Sequence, residues 1–86
     1  MFRIWAKVIA GEKIIKQVTY ENDEKFVYAD FWKYISEICD ELDISTPIVL
    51  KTHIFGYAKF RTVKFVARDF AEAPDFDKLV IENITI

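Results

Sequence analysis

The tightest constraint on the fold of this chain lies in its first ten residues. Phe2, Ile4, Ala6 and Val8 alternate with Arg3, Trp5, Lys7 and Ile9, the period of a strand with one buried face. A slip of one residue would turn that whole set toward water, so the core must lie on the Phe2 side. Ala10-Gly11-Glu12-Lys13 then supplies turn chemistry, and Ile14 to Tyr20 resumes a β-rich pattern, so the two segments are predicted to form a hairpin. Trp5 and Ile9 fall among lysines on the outer face. They are either partly covered by the aliphatic stems of Lys and Arg or offered as a contact surface, and are taken as interaction candidates.

The period changes downstream. Glu21-Asn22-Asp23-Glu24 is polar and turn-like, and Asp30 is the best-placed N-cap. From there Phe31, Ile35, Ile38, Cys39 and Leu42 recur at steps of three and four, while Lys33, Glu37, Asp40 and Glu41 fall off that stripe. This predicts an amphipathic helix from about Asp30 to Leu42, with Pro47 as its stop, because proline lacks the N–H and holds its predecessor extended. Ile48 to Leu50 suggests a short strand. Thr52 to Lys59 fits neither period cleanly, and Gly56 suggests a break or bend. Arg61 to Arg68 alternates again, Val63, Phe65 and Ala67 inward and Lys64 and Arg68 outward. Asp69 to Asp77 forms a loop around Pro74, and Leu79 to Ile86 closes the chain as a strand.

These elements give one α+β domain over residues 1–86: a two-layer sandwich with a four- or five-stranded, mostly antiparallel sheet and one main helix on one face. A chain this short buries only about 60 to 65% of its unfolded surface. Eight Phe, four Tyr and two Trp enlarge what each buried residue contributes, and two Gly and two Pro leave little loop. Nothing approaches the roughly 20 apolar residues of a membrane span, and Arg3, Lys7 and Glu12 interrupt any signal-like run at the start. No membrane association is therefore expected. The single Cys39 rules out an intrachain disulfide and fits a reducing, cytoplasmic setting.

Charge is unevenly distributed along the chain. Between Ile44 and Arg68 there is no carboxylate, yet the stretch holds Lys51, His53, Lys59, Arg61, Lys64 and Arg68. Phe55, Tyr57, Phe60 and Phe65 are interleaved with those cations, the composition of a surface that can stack bases and hold phosphates. Lys51, Lys59, Arg61, Lys64 and Arg68 are accordingly nucleic-acid-binding candidates. The net charge of −2 weighs against a dedicated nucleic-acid protein, and strand periodicity puts Phe65 on the core side.

No catalytic constellation accompanies this window. Cys39 shares its stripe with Ile35, Ile38 and Leu42, where a free cysteine acts as a small buried hydrophobe. His53 falls in an expected loop, as an exposed polar residue without a partner or pocket. Asp69, Glu72, Asp75 and Asp77 lack EF-hand spacing and form a solvated acidic loop, with Asp69 and Asp77 available to cap turns. Gly11 and Gly56 are too far apart for a phosphate loop, and neither Ser36 nor Ser45 has nucleophile-elbow glycines.

Several separated blocks, in order, resemble a family of short uncharacterised bacterial proteins: Trp5-Ala6-Lys7-Val8-Ile9, Glu37-Ile38-Cys39, Asp43-Ile44-Ser45-Thr46-Pro47-Ile48, Phe65, Asp69-Phe70, Glu72, and Phe76-Asp77-Lys78-Leu79-Val80-Ile81. The resemblance implies a small cytoplasmic protein and brings no catalytic residue, metal or cofactor. The expectation is a non-enzymatic interaction module whose partner is a protein or a second copy forming a homodimer. The alternative is weak RNA or single-stranded DNA binding through Lys51 to Arg68.

Overall fold

The computed structural model describes residues 1–84 and has an α+β architecture. The elements are β1 (Phe2–Ala10), β2 (Lys13–Asn22), α1 (Phe31–Leu42), α2 (Lys51–Phe60), β3 (Thr62–Val66) and β4 (Lys78–Asn83), with short 3-10 turns at Tyr28–Asp30 and Ala67–Asp69. The strands form one sheet in the order β2-β1-β4-β3, antiparallel throughout. Strands joined only by antiparallel neighbours need no crossover handedness, and β4 enters between β1 and β3. Thr85 and Ile86, expected within the last strand, lie outside the described residues.

The alternation of β1 fixes the layers as expected. Ile4, Ala6 and Val8 are fully buried with Phe65, Leu79 and Ile81 on the inner face of the sheet, and Phe2 and Tyr20 are nearly so. The hairpin turns at Gly11 (φ 57°) and Glu12 (φ 66°), both left-handed, the two-residue connection whose twist matches the flanking strands. A register shift opposite Val8 and Ile9 leaves Ile15 as an extra residue in β2.

Helix α1 buries Phe31, Tyr34, Ile35, Ile38, Cys39 and Leu42 against that face. Asp30 does precede it, but its side chain makes no cap hydrogen bond. Pro47 is not the terminator. The helix has already closed at Asp43, left-handed at φ 56°, with Asp43 N–H donating to Asp40 O at 3.2 Å and Ile44 N–H to Cys39 O at 3.0 Å. That is the paired closure of a Schellman motif, formed here without glycine. Lys16 Nζ donates to Leu42 O at 3.0 Å, satisfying a further terminal carbonyl and setting a cation at the negative helix end.

The segment from Ile48 to Phe60 departs from its sequence pattern. Ile48 to Leu50 forms no strand; Ile48 N–H donates to Asp69 O at 2.8 Å, and Leu50 O accepts from His53 N–H and Ile54 N–H at the start of the helix that follows. Lys51–Phe60 is a helix that runs through Gly56. Interior glycine costs a helix roughly 0.5–1 kcal/mol relative to alanine. Tyr57 offsets that loss by packing on Phe31 and Phe26, with ring centroids 5.0 and 5.8 Å away. Tertiary burial overrides weak local propensity here.

Burial pushes the Cys39 thiol up to about 12, with the Asp40 carboxylate adding to the shift and a hydrogen bond with Thr46 opposing it. The folded state thus holds its proton while an unfolded thiol, near 9, begins to lose it. The stability this contributes is complete below the unfolded value and declines as pH climbs from there toward the folded value. Cys39 should react slowly with a thiol reagent in the native state and at ordinary speed in denaturant. Ile35→Ala should lower stability by about 2–5 kcal/mol in urea unfolding, the cost of a cavity in this layer.

Candidate interaction site

The acid-free stretch folds into a compact unit of α2 and β3 joined at Arg61, which adopts the left-handed conformation with φ 62° and donates its N–H to Tyr57 O at 2.8 Å. Because β3 turns back at this junction, Arg68 returns toward the start of α2. The structure divides the interleaved aromatics into two sets. Tyr57 and Phe65 are buried in the core, whereas Phe55 and Phe60 are 68% and 66% exposed. Lys51, Phe55 and Lys59 recur every fourth residue, about 6 Å apart along one exposed stripe of α2. Lys59 Nζ sits 5.3 Å from the centroid of the Phe60 ring. Lys64 points to the outer side of the sheet, opposite Val80 on β4, and Arg68 is exposed in the 3-10 turn. The candidate cations are therefore distributed over α2, the outer face of the sheet and the 3-10 turn.

His53 is not the exposed loop residue its sequence context suggests. It lies in the first turn of α2, where its Nδ1 accepts the Leu50 N–H at 2.9 Å. Helix starts leave N–H groups without partners, and Leu50 cannot cap one with its own side chain. His53 performs that task from inside the helix. Its Nε2 lies 3.6 Å from Asp69 Oδ2, and its ring centroid is 4.5 Å from that of Phe65. Asp69 Oδ2 also accepts the Val66 N–H at 2.8 Å, in the turn-capping role expected of it. Together His53 and Asp69 fasten the start of α2 to the end of β3.

Of the other acidic residues, Asp77 also acts as a cap. Asp77 Oδ2 accepts the Gly11 N–H at 2.9 Å and braces the hairpin turn against the last loop. A half-open cleft of about 390 Å³ lies nearby, lined by Val8, Ile15, Lys16, Ile44, Pro74 and Phe76 with Asp43, Glu72 and Asp75 at its edge. Among the described residues no three His, Cys, Asp or Glu groups are placed to hold a metal ion. No described helix is long and apolar enough to cross a membrane.

Trp5 and Ile9 do lie on the outer face of the sheet, partly covered rather than bare. Trp5 Nε1 donates to Gln17 Oε1 at 3.0 Å, and Lys7 Nζ lies 4.0 Å from the indole centroid. Lys7 Nζ also approaches Glu82 Oε2 at 4.0 Å. The cation on the ring and the bonded indole reduce what Trp5 can offer a partner. The more exposed apolar groups lie elsewhere: Ile48, Leu50, Phe55 and Phe60 around α2, Ile14 and Ile15 on β2, and Trp32 on α1. The adjacent isoleucines of β2 break the alternation of that strand, which is the one signal in the sequence that marked them.

Comparison with protein-family models, with curated proteins and with solved structures gave no match.

His53→Ala should destabilise the fold by about 1 kcal/mol, the typical cost of a lost helix cap. Asp69→Ala should cost a similar amount. A double-mutant cycle by urea unfolding should give less than additive loss, with coupling on the order of 0.5 kcal/mol, because each residue anchors the same junction.

Proposed function

We propose that this chain is a small non-enzymatic interaction module that binds a protein partner or a second copy of itself. The observation that carries this reading is the set of large apolar side chains held at the surface around α2. Ile48, Leu50, Phe55 and Phe60 are each more than half exposed, although the same short segment buries Tyr57 completely enough to anchor the helix. Scattered exposed apolar residues are ordinary, but four within thirteen positions support the reading of a contact surface. The buried, protonated Cys39 and the structurally committed His53 leave no activated nucleophile or base to argue for chemistry. The free thiol supports a cytoplasmic location, in keeping with the resemblance to short bacterial proteins.

The test is capture from native extract with the wild-type chain and with Phe55→Ser plus Phe60→Ser. A discrete protein partner retained after nuclease treatment and lost with the double variant is expected. Capture that is identical for both proteins would remove the α2 surface from the proposal.

A second reading, weak binding of RNA or single-stranded DNA, draws on the same exposed rings. Phe55 stands between Lys51 and Lys59, an aromatic platform with cations to either side. Fluorescence anisotropy with a labelled oligonucleotide at two salt concentrations distinguishes the readings. Neutralising Lys59, Arg61 and Lys64 should flatten the salt dependence by roughly one phosphate contact for each contact removed. An absence of binding at low salt would reject this alternative.

A further inference from the structure

The open edge of β2 is the longest unpaired backbone surface among the described residues. Strand order β2-β1-β4-β3 puts β2 and β3 at the two edges, but β3 has only five residues. β2 has ten. Which of its amides face outward follows from the hydrogen bonds of β1. Arg3 O accepts from Ile84 N–H and Ile9 O from Asp77 N–H, so the odd residues of β1 face the β4 side. The even residues therefore serve β2, and their partners Lys16, Val18, Tyr20 and Asn22 turn inward. Gln17, Thr19 and Glu21 direct their N–H and C=O groups away from the sheet.

Charge along this edge is polarised. Lys13 and Lys16 stand at its beginning, with Glu12 in the turn before them, and Glu21, Asp23 and Glu24 lie at and just beyond its end, followed by Lys25, so the first end is net basic and the second net acidic. A parallel copy would set like charges together, whereas an antiparallel copy sets each basic end beside the other's acidic end. Ile14 and Ile15, 46% and 51% exposed, lie in the basic half. A bulge at Ile15 and the lysines blunt the beginning of this edge, but the stretch from Lys16 to Asn22 keeps a regular register and is neither very short nor charged throughout.

The geometry points to a second copy of this chain as the occupant: two β2 edges pair antiparallel across a twofold axis near Val18, joining two four-stranded sheets into one. This rests on the interaction-module reading and assigns it a self-association surface separate from α2. Pairing about Val18 places Gln17 across from Thr19 of the second copy and runs Lys13 and Lys16 alongside its Tyr20 to Glu24 segment. A twofold contact of this kind is self-complementary and closes at two subunits. Backbone pairing supplies the attraction, and the polarised ends set direction and register.

Sedimentation equilibrium from micromolar to millimolar concentration should give a mass rising to twice the 10.2 kDa of one chain. Thr19→Pro removes an outward N–H while leaving the β1–β2 ladder complete, and should return the protein to one chain with its far-UV circular dichroism retained. Should that variant unfold, charge reversal supplies an independent test. Lys13→Glu, which leaves the Lys16 bond to α1 in place, should weaken the dimer, and adding Glu21→Lys with Asp23→Lys should restore it. Amide exchange in the wild-type protein should slow by about tenfold on concentration at Gln17, Thr19 and Glu21, but not at the inward-facing Val18 and Tyr20. A monomer at every concentration, or a folded Thr19→Pro protein that still dimerises, overturns the β2 assignment. If such a monomer still captures its partner through Phe55 and Phe60, the module reading stands and only the edge proposal fails.

Discussion

The cluster of rings at the junction of the two helices and the sheet holds this fold together. Phe2 of β1 lies 5.0 Å from Phe26 and 4.8 Å from Tyr34, while Phe26 and Phe31 reach Tyr57 of α2. One set of edge-on, tilted and stacked contacts thereby joins the first strand, the loop before α1, α1 itself and α2. Helix α1 carries a strong apolar stripe and would find the sheet without help. Helix α2 buries only Tyr57 fully, contains Gly56 and begins without a conventional cap, so its position depends on that ring contact and on the His53 and Asp69 junction. Burial pushes the Tyr57 hydroxyl above its ordinary range, in keeping with its place in the layer.

The same economy governs the surface. With Tyr57 and His53 committed to the interior side of α2, the remaining faces of a ten-residue helix must take Phe55, Lys51 and Lys59. The anchoring geometry thus holds the ring at the surface, and its basic neighbours follow from a stretch that contains no carboxylate. Tyr20 shows the opposite outcome on the other flank. Its ring is buried while its hydroxyl reaches Glu37 Oε2 at 3.0 Å, so an off-stripe carboxylate of α1 becomes a tether to β2.

How much of this was legible in the sequence depended on whether the governing contact was local. The inner face of β1 and the stripe of α1 express a regular period and the structure reproduces both, with Tyr34 joining the α1 stripe; the hairpin follows from its turn residues, although β2 extends from Lys13 to Asn22 and breaks its alternation at Ile15. Helix α2 was not legible, because its stabilising contacts reach back to Phe26 and Phe31 and forward to Asp69, and its cap is a histidine within the helix. Pro47 is the visible stop signal after α1, whereas the left-handed Asp43 that ends the helix is a conformation that no residue type announces. Among the site residues, the alternating pattern placed Lys64 and Phe65 on opposite faces correctly. It could not separate Phe55 from Tyr57 within a segment that fitted neither period.

The placement of β4 has a kinetic consequence. Its residues pair with β1 in the middle of the sheet, Ile4 facing Asn83 and Ile9 facing Lys78, so the two central strands come from opposite ends of the described chain. The β1–β2 hairpin and α1 can form from neighbouring residues, but the sheet has no continuous centre until the most distant contacts close. Such closure carries a large loop entropy before it gains any pairing. Until then β1 presents an open inner edge, so folding intermediates would expose two sticky strand borders where the finished protein exposes one long one.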